Sequence, residues 1–428
     1  MNTRLDYFFN SLREKRVALI GIGISNTPIA KLLLKKGVKV TVCDRKTEEQ
    51  LGEVCAQIRS WGGQLRLGEG YLDGLEADVI IRAPGIYFHN EFLEEARRKG
   101  TVVTSEMELF FDFCPCKIYA VTGSVGKTTT TTILAEMLKK QGKLVHVGGN
   151  IGRALFPIIE EISPSDVAVV ELSSFQLISM RKSPDVAVLL NVVPNHLDIH
   201  KDMEEYISAK RNIFAHQGPF SRCVLNAENE LTASFASEIR GERMMFGHEV
   251  APMNGVYCSG DSIVLVRNGV TTEIMNRSDI RLPGEHNLEN YMAAIAACAD
   301  VVDPQNMRAV AREFAGVEHR QELVRELDGV KYINDSKATT PESTICALKA
   351  YEKNIILIAG GYDKHTPFDP MSRDVLTSVK RLILIGVTAE QIEKAVKSAP
   401  GYDPEKLPIH KVASLEEAVL RARSAAVP

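Results

Sequence analysis

KIYAVTGSVGKTTTTTILAEMLKKQG, residues 117–142, decides the fold of the middle of this chain. It opens on a short apolar run (117–123) and resumes as a helical pattern over 129–142, with GSVGKTTT (123–130) between them. Glycines let a backbone wrap a phosphate without Cβ clashes. The helix that follows offers unpaired N–H groups and a partial positive charge. Lys127 can reach β- and γ-phosphates, and the Thr128 hydroxyl can take Mg²⁺. A glycine turn carrying a solvated lysine would need neither the strand before nor the helix after. The expected ATP contacts are Gly123, Ser124, Val125, Gly126, Lys127, Thr128 and Thr129, with Lys127 also catalytic. Val121 stands where the longer G-x-x-x-x-G-K-T form has its first glycine, so the loop is the shorter T-G-x-x-G-K-T.

Outward from this loop the same alternation repeats. VAVVEL (167–172) and VAVLLNVV (186–193) read as buried strands, and 221–280 as β-like and turn-rich. Upstream, VALIGIG (17–23), VKVTVCD (38–44), ADVIIRAPGI (77–86) and GTVVTSEMELFF (100–111) alternate with helical stretches. Downstream, KYINDSKATTP (331–341), NIILIAGGYDK (354–364) and RLILIG (381–386) read as strands ending in polar or glycine-rich loops. Strands alternating with helices mean parallel sheets covered on both faces. The expected fold is α/β in three domains: Rossmann-like 1–113, a central P-loop ATPase domain with a parallel sheet over 114–313, and Rossmann-like 314–428. Ligands of such sheets bind beyond the carboxyl ends of the strands, where most of the polar motifs fall.

Composition narrows the class. A chain of 428 residues is too long for one ordinary domain. A hydrophobic fraction of 45% and a charged fraction of 25% are those of a globular protein, and a net charge of -4 lacks the basic excess of a nucleic-acid binder. MNTRLDYFFN has no apolar run after its charge, and no segment reaches the length of a membrane span. The eight cysteines are scattered, and Cys114 and Cys116 form C-x-C around Pro115 rather than a paired metal framework. Reduced structural thiols, a cytoplasmic location and no membrane or nucleic-acid partner are the expectation.

Several residues carry chemistry of their own. Glu171 closes a buried apolar strand, where a carboxylate is costly unless paired or metal-bound. Together with a P-loop hydroxyl it forms the usual protein ligand pair for nucleotide-bound Mg²⁺. HLDIH (196–200) raises zinc as a rival, but no further Cys or His stands at ligand spacing. Lys210, in SAKRNIF (208–214), reads on its own as a helix-surface lysine. GIGISN (21–26), with Asp44 a strand later, is an incomplete dinucleotide fingerprint whose third glycine is replaced by Asn26.

The short loop, GGNIG (148–152), ELSSFQL (171–177), NVVPNHLDIH (191–200), SAKRNIF and NDSKATTP (334–341) together resemble the Mur ligase and folylpolyglutamate synthetase superfamily, almost to the end of the chain. That resemblance implies ATP-dependent amide ligation through an acyl phosphate in peptidoglycan precursor synthesis. It implies two Mg²⁺ ions, held by Thr128, Glu171, His196 and Lys210, the last carrying a CO₂ adduct. His196 and Lys210 join Lys127 as catalytic residues, and Asn287, Arg320 and Asp335 join the ATP site. The first block is implied to bind the UDP end of a UDP-sugar through Ser25, Asn26, Thr27, Asp44, Pro84 and Gly85, aided by Asn150. NDSKAT is the string of the D-glutamate-adding branch, whose substrates are UDP-N-acetylmuramoyl-L-alanine and D-glutamate. Lys337, Thr339 and Lys364 are implied to meet the amino acid, in a monomer.

Other classes stay in view. A nicotinamide oxidoreductase with an added nucleotide domain would need the missing third glycine. A P-loop switch would leave NDSKATT and HLDIH without a role. A folate-polyglutamating enzyme would lack the nucleotide-binding first block. The resemblance also implies one more strand and a loop beyond VASLEEAVLRARSAAVP (412–428). With no matching residues after Pro428, the expectation is a shortened chain with an incomplete amino-acid pocket.

Overall fold

A computed structural model describes residues 3–427, apart from 250, 252, 352–353 and 364–365. They fall into two compact units: Met1–Ile274 with Met292–Met307, and Met275–Tyr291 with Arg308–Pro428.

The first unit opens with a five-stranded sheet of β1 (Val17–Ile20), β2 (Val40–Asp44), β3 (Gln64–Leu67), β4 (Val79–Arg82) and β5 (Val102–Ser105). All pairings are parallel and the order is β3-β2-β1-β4-β5. β1 and β4 are buried at every position, because both faces are covered, and so they read as unbroken apolar runs. The helix α1 (Asn26–Lys35) follows β1 directly. The helix α2 (Glu106–Phe113), capped by Ser105, leads out of this sheet.

The P-loop strand, β6 (Lys117–Thr122), runs into α3 (Lys127–Lys140). Then come β7 (Val145–Gly149), β8 (Val167–Glu171), β9 (Val186–Leu189), the helix α4 (Met203–Arg211), β10 (Arg222–Asn226), β11 (Glu242–Gly247), β12 (Gly255–Ser259), β13 (Ser262–Arg267) and β14 (Val270–Asn276). They order as β14-β13-β12-β11-β10-β9-β6-β8-β7. Pairing is parallel from β7 to β12, and β13 turns back antiparallel. β6 lies between β8 and β9, with Val121 opposite Glu171 and Thr122 opposite Leu189. This register sets Gly123, Glu171 and the residues after Leu189 at one carboxyl edge. Gly149 sits opposite Glu171 at φ +97, and a Cβ there would lie 2.2 Å from the Glu171 carbonyl oxygen, so only glycine admits the approach.

In the second unit, β15 (Glu322–Leu327) and β16 (Val330–Asn334) pair antiparallel, and β17 (Ile355–Gly360), β18 (Val379–Ile385) and β19 (Ile409–Lys411) form a parallel three-stranded sheet. The strand read at 331–334 therefore belongs to a hairpin and not to the parallel sheet. Asp328 and Gly329, both at positive φ, make the two-residue turn that joins it to β15. A helix over Leu415–Ala425 ends the described residues, as its apolar periodicity predicts.

Candidate active site

The loop after β6 is shaped by its own backbone and by one asparagine. Gly126 takes the left-handed conformation (φ +89) as the cap of α3. Asn191, just past β9, accepts from the backbone N–H groups of Ser124 (3.0 Å) and Val125 (2.9 Å) and donates to the Val125 carbonyl (3.1 Å). Ser124 Oγ donates to the Val193 carbonyl (2.9 Å) and lies 2.9 Å from the Tyr206 hydroxyl. These bonds fix the loop backbone against the residues that follow β9. Lys127 Nζ folds back onto the carbonyls of Gly123 (2.8 Å) and Ser124 (3.0 Å). Thr128 is buried in the first turn of α3 and Thr129 half-buried beside it.

A second ammonium reaches the same carbonyl. Lys210 Nζ donates to Gly123 O at 2.8 Å and sits 4.7 Å from the Tyr206 ring centroid. Tyr206 precedes Lys210 by four residues on α4, which places both on one helix face. Lys210 is 1% exposed. Burial, and then the neighbouring Lys127 charge, push its amine well below the ordinary lysine range, with Glu171 opposing them. It is therefore not the surface lysine that its sequence alone suggests. The lowered pKa favours the neutral amine, the form that reacts with CO₂.

Glu171 is 1% exposed. Its Oε1 accepts from Asn150 Nδ2 (2.7 Å), and its Oε2 is buried with no hydrogen-bond partner among the described residues. An orphaned carboxylate oxygen whose charge reaches the Lys210 amine fits a cation with oxygen ligands. Asn150, expected at the UDP end, is thus tied to this carboxylate, and its backbone N–H also donates to Glu171 O (2.8 Å). His196 lies on the loop after β9 at φ +56, its ring edge-on to Phe175 at 5.1 Å.

Around this centre runs a polar chain that draws on the ELSSFQL and HLDIH strings and adds Glu205 and Tyr87, which no motif announces. His200, 2% exposed, stacks on Phe175 (5.0 Å, 6°), lies 2.7 Å from Glu205 Oε1 through Nδ1 and 2.9 Å from Ser174 Oγ through Nε2. Tyr87 of the first block donates to Glu205 Oε2 (2.6 Å). Burial alone would raise the Glu205 carboxyl, but bonds from Tyr87, His200 and the Lys201 backbone hold it below its usual range. Arg82, at the end of β4, crosses the same way, donating to the Phe175 carbonyl and Ser179 Oγ, each at 2.9 Å. Burial lowers this guanidinium to about 10.

The first sheet's carboxyl edge holds the remaining expected residues. Asp44 accepts from the backbone N–H groups of Ile22 (2.6 Å) and Lys46 (2.9 Å). Ser25 and Thr27 stand half-buried at the start of α1, and Pro84 and Gly85 lie in the loop after β4. Asn26 departs from expectation. It is fully buried, and its amide donates to the carbonyls of Ile20, Gly21 and Ile81, so its side chain knits β1 to β4 and does not face a diphosphate.

In the second unit, Gln321 N donates to Asp335 Oδ1 (3.1 Å). Burial raises the Asp335 carboxyl, while that bond and Arg320 oppose it. Arg320 Nε is buried with no partner among the described residues. Asn287 donates to the Pro283 carbonyl (2.6 Å) and accepts from Asn290 (3.2 Å), a neighbour that sequence reasoning passed over. Lys337 and Thr339 are exposed, and Lys364 lies outside the described residues.

Comparison with known proteins adds three family matches: a MurD-like N-terminal domain over residues 15–105, the Mur ligase middle domain over 121–298, and the Mur ligase glutamate ligase domain over 319–428. A UDP-N-acetylmuramoylalanine–D-glutamate ligase of Acetivibrio thermocellus is 48% identical over 98% of this chain and 91% of its own length. The Clostridium botulinum protein of the same name is 46% identical over the same shares. Among solved structures, the UDP-N-acetylmuramate-alanine ligase of Thermotoga maritima matches with a TM-score of 0.60 at 20% identity, covering 97% of this chain and 93% of its own, a likeness of fold.

Proposed function

This chain belongs to the Mur ligase family, and from that premise we propose how its residues divide the work. It is an ATP-dependent ligase that joins D-glutamate to UDP-N-acetylmuramoyl-L-alanine in peptidoglycan precursor synthesis, and it uses Mg²⁺. The oxidoreductase and switch readings give way to that assignment.

The observation that carries the residue assignment is the meeting of Lys127 and Lys210 on Gly123 O, with the buried Glu171 carboxylate acting on Lys210. Lys127 would neutralise charge on the γ-phosphoryl as the substrate carboxylate attacks it and ADP leaves. The acyl phosphate so formed turns a poor electrophile into a good one. The D-glutamate amine then adds to the acyl carbon, and the tetrahedral intermediate expels phosphate. Thr128, Glu171, His196 and a carbamate on Lys210 would hold two Mg²⁺ ions, which supply positive charge to the transferring group. Tyr206 and Asn191 keep Lys210 and the loop in place. Asn150 positions Glu171 and stands ready for the sugar substrate.

Ser25, Thr27, Asp44, Pro84 and Gly85 serve the UDP moiety, with Asn26 contributing through the backbone that it anchors. Asn287, Arg320 and Asp335 are assigned to ATP, and Lys337, Thr339 and Lys364 to D-glutamate. The division 1–113, 114–313 and 314–428 is kept as the working domain assignment, with the enzyme a cytoplasmic monomer. No helix among the described residues is long and apolar enough to cross a membrane.

The test is phosphate release from ATP with UDP-N-acetylmuramoyl-L-alanine across a panel of D- and L-amino acids. D-Glutamate should be the amino acid that supports turnover. Equal rates with D-glutamate and L-alanine refute the specificity. Release that needs no amino acid points to the switch reading.

A further inference from the structure

The function leaves one sequence motif unused, the C-x-C of residues 114–116. Cys114 follows the last residue of α2 and its N–H donates to Phe110 O (2.8 Å), which closes that helix. Two residues past Cys116, Ile118 N donates to Asp185 Oδ2 (2.7 Å), which anchors β6. Both flanks are thus fixed, and Pro115 between them removes backbone freedom. The two sulfurs lie 3.5 Å apart. Cys114 is half-buried and Cys116 is 7% exposed.

The pair lines an open cavity of about 590 Å³, together with Lys117, Lys182, Asp185 and His216. Five of the other cysteines, Cys43, Cys55, Cys223, Cys258 and Cys298, are buried in the first unit.

We propose that Cys114 and Cys116 are a dithiol modification site, which a low-molecular-weight disulfide entering this cavity converts to an intramolecular disulfide. The outer thiol attacks and the inner one resolves. The Cys114 thiolate attacks one sulfur of the incoming disulfide, forming a mixed disulfide and releasing one small thiolate. Cys116, giving up its proton, then attacks Cys114 Sγ and releases the second small thiol. One small disulfide is reduced to two thiols, and two protein thiols become one disulfide.

Three features support this order. The half-buried sulfur is the one that an entering molecule meets. The hydrogen bond between the two sulfurs, opposed by burial and by the Asp185 charge, favours the Cys114 thiolate, while the same bond and burial disfavour ionisation of Cys116. A disulfide needs a sulfur separation of about 2.05 Å, so closure asks for a side-chain adjustment across a short gap and no movement of either anchored flank.

The experiment incubates the intact protein with oxidised glutathione, blocks remaining thiols and maps tryptic peptides. Both cysteines fall in the single peptide 100–117. In the unmodified chain this peptide should become lighter by two hydrogens and return to its starting mass with dithiothreitol. Cys116→Ser should stop at a glutathione adduct on Cys114, and Cys114→Ser should show neither product. The proposal is overturned if peptide 100–117 of the unmodified chain keeps two free thiols at oxidant ratios that modify Cys346. It is overturned equally if Cys114→Ser carries the adduct on Cys116.

Discussion

Replacing Glu106 by Gln should make the protein's stability less dependent on pH. Glu106 opens α2 and is 3% exposed, and its Oε1 accepts from the backbone N–H groups of Leu155 and Phe156, each at 2.8 Å. Burial outweighs those bonds and lifts the carboxyl from its ordinary 4.5 to about 7. Below the lower value the group is protonated in both states and adds no pH dependence. Between the two values the folded chain keeps a proton that the unfolded chain releases, so stability falls as pH rises. Above the upper value the full cost is in place, about 3 kcal/mol at roughly 1.4 kcal/mol per pKa unit. Glutamine keeps the acceptor oxygen and never ionises. Urea unfolding of both proteins should show the variant gaining about 3 kcal/mol on the parent between about pH 4.5 and about pH 8. A stability difference that stays constant over that range refutes the argument that a buried, strained carboxylate joins α2 to the 155–156 backbone.

Two further predictions bear on the active centre. Lys127→Ala should lower ATP-dependent phosphate release by on the order of 10²–10³, the scale for losing one electrostatic stabiliser, with thermal unfolding little changed; release near the parent's rate removes Lys127 from the ATP site. Lys210→Ala should cost a similar factor, about 10²–10³, and small carboxylic acids filling the vacated space should restore part of it. Failure of that rescue, together with no carbamate signal from the parent protein in labelled bicarbonate, removes the adduct.

Much of the centre was legible because strand ends and loops write themselves in short strings. GSVGKTTT placed a glycine loop between a strand and a helix, and the apolar run ending at Glu171 placed the carboxylate on the neighbouring strand edge. What stayed hidden was long-range pairing. Nothing local says that Lys210 folds 87 residues back onto Gly123 O, so it read as a surface charge until a family resemblance gave it a role. Asn191 stands inside NVVPNHLDIH, where the histidine is the stronger chemical signal, yet it is the asparagine that shapes the loop. Asn26 was misread for a related reason. A polar residue at a helix start usually faces a ligand or solvent, yet here three backbone carbonyls of converging strands claim its amide. The Asp328–Gly329 turn was legible and passed over, because alternating strands and helices suggested a parallel partner where a two-residue hairpin was the stronger local signal.

The charge distribution at Gly123 explains why these residues must act together. Two lysines share one carbonyl oxygen in a buried setting, and two protonated amines there would repel each other in a poorly screened environment. Lys127 is half-buried at the mouth of the loop, whereas Lys210 is enclosed. Burial therefore costs Lys210 more, and its pKa is pushed well below the ordinary lysine range. Once neutral it can take CO₂ and become an anion, which reverses its interaction with Lys127 from repulsion to attraction. The same change would set a second negative group near Glu171, whose Oε2 has no hydrogen-bond partner among the described residues. Two anions so placed would repel unless cations lie between them, which is the physical reason to expect Mg²⁺ beyond the ion that travels with the nucleotide. Each step lowers the cost of the next, so a change at Lys210 should weaken metal binding as well as turnover.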